Sequence, residues 1–361
     1  MSAQFSRTTH PAPLPHAQRA EIVAAPGFGK YFSDHMVTIR WTAERGWHDA
    51  AVRPYGPLAL DPASMVLHYG QEIFEGLKAY RHADGTAWLF RPDQNAARME
   101  RSARRLALPV LGLEDFLGSI DALVAADAAW VPSAPEQSLY LRPFMFASEA
   151  FLGVRPAQRV TYCCIASPAG AYFARGVHPV SIWISTSYTR AAPGGMGAAK
   201  TGGNYAASLV AQQEAAEHGC DQVMFADAAE HRWVEELGGM NVYLVTSDHQ
   251  LITPELTGSI LEGVTRDSIL TLAAEFGLTP VERRVGVDEL LEGIDSGWVS
   301  ELFACGTAAV VTPIGLLQDA RGRHQVGGGE TGETTAALRA RLLDVQYGRA
   351  EDTYGWLRRV L

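Results

Sequence analysis

The sequence is poor in lysine. Only three of its 30 basic residues are lysines, Lys30, Lys78 and Lys200, and the rest are arginines. Arginine cannot replace lysine in Schiff-base chemistry, because its guanidinium group stays protonated and is not nucleophilic. A lysine kept against this arginine-rich background is therefore a candidate for amine chemistry.

Other absences exclude whole classes of function. The sequence contains no stretch of 18 apolar residues, which a membrane-spanning helix would require. Its N-terminal residues lack the apolar core of a secretory signal. A formal net charge of −10 without any Lys/Arg-rich run argues against a nucleic-acid partner. The four cysteines, at positions 163, 164, 220 and 305, show neither CxxC nor metal-ligand spacing, which predicts buried thiols, no metal site and a cytoplasmic location.

The order of strand-like and helix-like segments predicts an α/β (α+β) protein of two domains. With 361 residues, 47% of them hydrophobic, the chain is long enough for two cores. We expect a flexible N-terminal tail over 1–25, a small N-terminal domain over 26–166, a connection over 167–179, and a large domain over 180–361. Ligands of such proteins often bind between domains, so we expect the site at the domain interface.

Lys200 lies in a loop with five glycines, 191–203, between a predicted strand over 180–187 and a predicted helix over 204–218. Small residues let a bulky ligand approach the backbone, and partial desolvation lowers a lysine pKa towards the range that Schiff-base formation needs. Two alternatives stay open from these residues alone. The lysine could be an ordinary solvated one, or the loop could be a phosphate-binding P-loop, although Ala199 stands where that motif requires glycine.

Two glycine-containing segments could hold an anion at free backbone N–H groups, namely 263–265 at a predicted helix start and 306–308 after a buried strand. Arg98, on a helix predicted over 95–106, is one possible cation for a phosphate there. Each segment could equally be a plain helix cap or turn. The helix over 265–276 is predicted to be capped by Thr265.

Two further groups suggest binding chemistry. A carboxylate from Glu235 or Glu236, before Gly238, could pair with a pyridinium nitrogen, or it could belong to an exposed acidic turn. Tyr140 and Arg142 alternate on a strand predicted over 138–146, so they share a face and could bind a carboxylate, or form a surface pair.

Six motifs occur together in one order: HYGQEIFEGLKAY, YLRPF, AAKTGGNYAASL, EELGGMN, LEGVTRDSIL and CGTAAVVTP. On these motifs the chain, from about position 37 to its end, resembles the branched-chain amino-acid aminotransferases, which are pyridoxal 5′-phosphate (PLP) enzymes of fold type IV. The resemblance implies a small N-terminal and a larger C-terminal domain. It also implies that Lys200 is the catalytic residue, forming the Schiff base with PLP and moving the substrate's proton.

The resemblance also implies two sets of binding residues. It assigns PLP to Arg98, Lys200, Tyr205, Glu236, Leu261, Val264, Thr265 and Thr307. It assigns the amino-acid substrate to Tyr69, Phe74, Tyr140, Arg142, Tyr172, Thr307 and Ala308.

The implied reaction transfers the amino group of L-leucine, L-isoleucine or L-valine to 2-oxoglutarate. The partners are then small amino acids and 2-oxo acids, and the family implies a homodimer in which the loop 151–154 reaches the neighbouring site. D-amino-acid aminotransferase and aminodeoxychorismate lyase are alternatives that share the lysine and the phosphate site. Two departures are visible: residues 309–312 read AVVT where some relatives have a redox CxxC, and Gly239 stands where some relatives have a hydroxyl residue.

Overall fold

The computed structural model describes residues 3–170 and 177–361, and within them the chain divides into two compact units. The first unit holds residues up to 170, then 199–202 and 344–361; the second holds 177–198 and 203–343. In this described part, no helix is both long enough and apolar enough to cross a membrane.

The first unit is built on a nine-stranded sheet. Its strands are β1 (Ser6–Arg7), β2 (His35–Thr42), β3 (Gly46–Pro54), β4 (Glu72–Phe74), β5 (Leu77–Arg81), β6 (Ala87–Phe90), β7 (Ser138–Ala147), β8 (Arg159–Ala169) and the C-terminal strand (Leu357–Arg359). They lie in the order β1-β3-β2-β8-β7-β5-β6-C-terminal strand, and β4 pairs with β7. All pairings are antiparallel except β1 with β3.

The helices of this unit are α1 (His16–Ala24), α2 (Met65–Tyr69), α3 (Pro92–Arg105) and α4 (Leu113–Ala126), with a 3₁₀ turn over Ala128–Trp130. Helix α3 starts at Pro92, whose fixed φ suits the first helical position. The apolar faces of α3 and α4 join the inner residues of the sheet in one core that includes Met99, Phe116, Ile120 and Leu141. Helix α3 confirms the helix predicted over 95–106, and β7 confirms the strand predicted over 138–146.

The second unit also contains a nine-stranded sheet. Its strands are β9 (Val180–Ser185), β10 (Gln222–Ala226), β11 (Val234–Leu237), β12 (Asn241–Thr246), β13 (Gln250–Thr253), β14 (Thr279–Glu282), β15 (Val299–Gly306), β16 (Val310–Gln318) and β17 (Arg323–Gln325). Their order is β11-β10-β9-β16-β15-β12-β13-β14, with β17 beside β16. Strands β10 and β16 flank β9 in parallel, and β15 and β16 form an antiparallel hairpin.

The second unit's helices include α6 (Val264–Leu272), which a 3₁₀ turn extends to Phe276, and α7 (Val287–Asp295). A boundary between the units falls inside helix α5 (Gly202–Glu217), after its first residue, and another falls inside helix α8 (Glu333–Gln346), before its last three residues. Alanines of α5 pack with Trp183, Val223 and Phe225. Asn204 was predicted as the cap of α5, but it lies inside the helix, where its side-chain amide donates to the Met196 carbonyl at 2.8 Å.

The unit boundaries differ from the predicted domains in two places. The tail predicted over 1–25 contains α1 and the strand β1, whose Ser6 pairs with Ala51 of β3. The last 18 residues group with the first unit instead of the large C-terminal domain, because the C-terminal strand pairs with β6 through Leu357 and Phe90. Of the predicted connection over 167–179, residues 171–176 lie outside the described part of the chain.

Candidate active site

The backbone of Lys200 is held from both sides within the first unit. Its N–H donates to the hydroxyl of Ser102 at 2.9 Å, and its carbonyl accepts the N–H of Phe74 at 3.0 Å. Ser102 is fully buried on α3, and Phe74 is the last residue of β4. The Lys200 ammonium nitrogen lies 4.9 Å from the centroid of the Phe74 ring. The lysine is therefore half-buried and fixed between a helix and a strand, unlike a solvated loop lysine.

A buried ion pair fixes Arg98 in the same unit. Its Nε and one terminal nitrogen donate to the two carboxylate oxygens of Glu75 at 2.8 and 2.9 Å, and Asn95 donates to the same carboxylate at 2.8 Å. Burial favours a raised pKa for Glu75, but the charge and hydrogen bonds of Arg98, with the charge of Lys200, hold this pKa below its ordinary value. The ionised carboxylate of Glu75 thus orients Arg98, the residue predicted to bind phosphate.

The predicted carboxylate receptor lies on β7 beside the lysine. Tyr140 and Arg142 share a face of that strand, and an Arg142 nitrogen donates to the Tyr140 hydroxyl at 3.1 Å. The Arg142 guanidinium carbon lies 4.8 Å from the Phe74 ring centroid, so Phe74 contacts both Arg142 and Lys200. The Arg142 Nε is buried and has no hydrogen-bond partner among the described residues. The residue as a whole is only partly buried, so its guanidinium can donate hydrogen bonds to a carboxylate ligand.

Two other predicted substrate residues are placed differently. Tyr69 ends α2 and is exposed, and its hydroxyl donates to the carbonyl of Leu152 in the loop 151–154. The structure therefore places Tyr69 against this loop. Tyr172 lies outside the described residues.

Glu236, on β11 of the second unit, accepts hydrogen bonds from three directions. Its Oε1 accepts the Leu261 N–H at 2.9 Å and lies 2.6 Å from an Arg190 nitrogen, and its Oε2 accepts the Asn241 amide at 3.1 Å. Glu236 and Arg190 are both almost fully buried. The structure thus brings Glu236 and Leu261 together, and adds Arg190 and Asn241 to this site.

The neighbouring Glu235 has a different environment. Successive strand residues point to opposite faces, and Glu235 accepts the hydroxyl hydrogen bond of Ser259. Burial raises the pKa of Glu235 above its ordinary value, despite the Ser259 hydrogen bond and the charge of Arg190. Of the two carboxylates, only Glu236 bonds to Leu261, which fits the choice of Glu236 for the cofactor.

The start of α6 carries the predicted anion site. Its cap is Gly263, not Thr265 as predicted, and Val264 and Thr265 form the first turn, whose N–H groups have no acceptor within the helix. A Cβ at Gly263 would lie 2.1 Å from the side-chain oxygen of Asn241. Only glycine lets the helix start approach Asn241 this closely, so the position of the first turn depends on Gly263.

The remaining predicted residues lie around two glycines. Thr307 and Ala308 form the turn between β15 and β16, directly after Gly306. A Cβ at Gly306 would lie 3.7 Å from the carbonyl oxygen of Gly239, and a Cβ at Gly239 would lie 3.4 Å from the Tyr205 ring. Tyr205 and this turn therefore border one glycine segment, which joins Glu236 to Asn241 along the chain.

All four cysteines are free and buried. Burial raises the pKa of Cys163 to about 12 and also raises that of Cys305. The described residues contain no group of three or more His, Cys, Asp or Glu side chains that could hold a metal ion.

Sequence reasoning did not identify Glu75, Ser102 or Arg190. Glu75 stands next to Gly76 in the motif FEG, and that position is the one local signal that could have suggested it. Arg190 and Ser102 act through partners distant in the sequence, so no local pattern marks them.

Comparison with known proteins decides the family. A model of the family described as amino-transferase class IV matches residues 72–317. This chain belongs to the class IV aminotransferase family. A probable branched-chain-amino-acid aminotransferase of Streptomyces coelicolor is 59% identical over 346 residues, covering 96% of this chain and 95% of the relative.

Two solved structures resemble this class IV aminotransferase. The Escherichia coli branched-chain amino acid aminotransferase has a TM-score of 0.74 and 29% identity, covering 90% of this chain and 99% of that one. The branched-chain amino acid aminotransferase from Thermobaculum terrenum, in its PLP form, has a TM-score of 0.72 and 27% identity, covering 90% and 98%. These structures confirm the predicted fold class. The names of the relative and of both neighbours support the predicted branched-chain aminotransferase activity. They support neither a P-loop protein nor the alternative fold type IV activities.

Proposed function

We propose that this class IV aminotransferase transfers the amino group of L-leucine, L-isoleucine and L-valine reversibly to 2-oxoglutarate, with PLP as its cofactor. The observation that carries the proposal is the placement of Lys200 and Arg142 against the Phe74 ring. This arrangement sets an amine and a carboxylate receptor beside an apolar surface. The relative from Streptomyces coelicolor and the two solved neighbours are named for the same reaction class.

When bound, PLP supplies the electron sink for the substrate Cα. Lys200 supplies the amine that binds the cofactor's aldehyde, and it moves the proton at the substrate Cα. Glu236 pairs with the pyridine nitrogen, and its bonds to Arg190 and Asn241 keep the carboxylate oriented for this task.

The residues present fit the other parts of the cofactor. The first turn of α6 offers N–H groups without helical acceptors, which is the donor set that a phosphate requires. We assign the phosphate to Arg98, Val264, Thr265 and Thr307, the phenolic oxygen to Tyr205, and one face of the ring to Leu261.

Arg142 and Phe74 handle the two kinds of substrate side chain. An aliphatic side chain packs on the Phe74 ring, whereas the side-chain carboxylate of glutamate binds the Arg142 guanidinium beside that ring. Tyr140 orients Arg142 through its hydroxyl. The remaining predicted contacts, from Tyr69, Tyr172, Thr307 and Ala308, complete this proposal.

The enzyme acts as a homodimer and resides in the cytoplasm. The side chains of Leu67, Leu152 and Val154 are 58%, 62% and 85% exposed, and we propose that a second copy of the chain covers them. The four free cysteines support a reducing compartment. Light scattering should give twice 39.1 kDa for the protein and a lower mass for Val154→Asp.

The test is a visible absorption spectrum of the purified holoenzyme before and after L-leucine is added. We expect a yellow band that leucine converts to a shorter wavelength. Lys200→Ala should lose both the band and the transamination, whereas the control Lys30→Ala, at an exposed lysine, should keep them.

Two outcomes would contradict the proposal in different ways. A band that responds to D-alanine and ignores L-leucine would replace the substrate and keep the PLP site. Substantial transamination by Lys200→Ala would refute the role of this lysine.

A further inference from the structure

Glu72 lies on the same sheet face as the proposed substrate residues. It is the first residue of β4, opposite Phe146 of β7, and Phe74 stands opposite Phe144. Residues directly opposite each other in a sheet point to the same side, and so do residues two apart in one strand. Glu72 and Phe74 therefore share a face with Arg142.

The carboxylate of Glu72 also contacts the chain just after Lys200. Its Oε1 accepts the N–H of Gly202 and, at 3.3 Å, the hydroxyl of Thr201. A Cβ at Gly202 would lie 2.5 Å from this oxygen, so glycine permits the contact. These bonds hold the negative charge of Glu72 in place beside the lysine segment.

The negative charge of Glu72 interacts with the positive charge of Arg142. Burial raises the pKa of Glu72, while its hydrogen bonds from Gly202 and Thr201 and the positive charge of Arg142 act in the opposite direction. A carboxylate that interacts with Arg142 repels a second carboxylate brought to the same guanidinium. A neutral aliphatic side chain meets no such repulsion.

We propose that Glu72 is a specificity-determining residue, whose carboxylate weakens the binding of an acidic substrate side chain at Arg142 and leaves aliphatic side chains unaffected. This inference rests on the proposed function, because it assumes that Arg142 receives the side-chain carboxylate of glutamate or 2-oxoglutarate. The consequence is that glutamate and 2-oxoglutarate dissociate readily, so that leucine can bind at the same place in the other half-reaction.

The experiment measures calorimetric binding of two unreactive acids to the holoenzyme at pH 8. Glutarate carries the second carboxylate, and 4-methylvalerate carries an aliphatic side chain. Glu72→Gln keeps an oxygen that can accept the Gly202 and Thr201 hydrogen bonds but removes the charge. We expect it to bind glutarate about three- to tenfold more tightly, and 4-methylvalerate with less than about a twofold change.

Two further variants separate charge from position. Glu72→Asp keeps the charge and should preserve the wild-type ratio of the two affinities, even if it shifts the lysine segment. Glu100→Gln removes one exposed charge from α3 and should also leave the ratio unchanged, which controls for net charge. Steady-state kinetics should show the same split, with a lower KM for 2-oxoglutarate and an unchanged KM for leucine in Glu72→Gln.

The inference would be overturned if Glu72→Gln left the ratio of the glutarate and 4-methylvalerate affinities unchanged, whether both affinities stayed the same or both increased equally. If wild-type protein binds neither acid and transaminates no branched-chain amino acid, the proposed function fails instead. The two failures are therefore distinguishable.

Discussion

Glu75→Gln should strongly destabilise the first unit. The wild-type carboxylate is completely buried and receives two hydrogen bonds from Arg98, which is 4% exposed. Glutamine keeps the volume, but it removes the charge and turns an N–H₂ group towards the guanidinium. Removing one partner of a buried ion pair costs about 3–5 kcal/mol, because the other charge stays buried without compensation.

The assay is thermal unfolding of the protein without cofactor, so that changes in PLP affinity do not contribute. For a unit of this size, each kcal/mol lowers Tm by about 2–4 °C, so we expect a decrease of about 6–20 °C. The matched control is Glu100→Gln. Glu100 pairs with Arg104 on the same helix at 2.8 Å, but both side chains are exposed, and such pairs contribute about 0.3–0.5 kcal/mol.

A third variant tests the reason for the loss. Replacing Glu75 by Leu and Arg98 by Met together should recover much of the stability, because no unpaired charge remains. Equal Tm values for Glu75→Gln and Glu100→Gln would refute the reasoning, and so would a double variant less stable than Glu75→Gln alone.

Three other predictions concern single positions. Gly76→Ala places a Cβ 2.1 Å from the Tyr140 hydroxyl, so it should raise the KM for 2-oxoglutarate at least about tenfold (about 1.4 kcal/mol) and the KM for leucine less, in steady-state assays. Gly263→Ala directs a Cβ into the side chain of Asn241 and should weaken PLP binding, measured by fluorescence titration of the cofactor-free protein. Asp227 accepts four backbone N–H groups, which lower its pKa although burial opposes them, so Asp227→Asn should cost about 1–2 kcal/mol at pH 7. That difference should disappear in calorimetry as the pH falls below 3.8, because a carboxyl with a lowered folded pKa stabilises only while it is ionised.

Local patterns predicted the elements that carry the site, and the physical reason differs between elements. Tyr140 and Arg142 alternate in a strand flanked by apolar residues, so their common face follows from the period of two. The helix that carries Arg98 has its buried residues at helical spacing, which a sequence displays directly. Both predictions depend only on residues within one element.

The missed features all depend on contacts between distant parts of the sequence. Arg190 meets Glu236 across 46 positions, and the C-terminal strand pairs with β6 across more than 260. Neither pairing has a local signature, because what favours it is burial in the folded state. Thr265 was mistaken for a cap because it is a good capping residue, whereas close packing against Asn241 requires Gly263 there.

The many arginines and the few lysines of this chain have different tasks. Arg98 binds Glu75 with two nitrogens at once, and Arg190 reaches Glu236 and two backbone carbonyls, tasks that suit a planar group with several fixed donors. Neither guanidinium can act as a nucleophile, because its positive charge is delocalised over the planar group. The backbone of Lys200 is held beside Phe74 by the Ser102 hydroxyl and by the Phe74 N–H. Arginines thus serve as fixed ion-pair partners within each unit, and the lysine anchored beside Phe74 is the residue that we propose for the reaction.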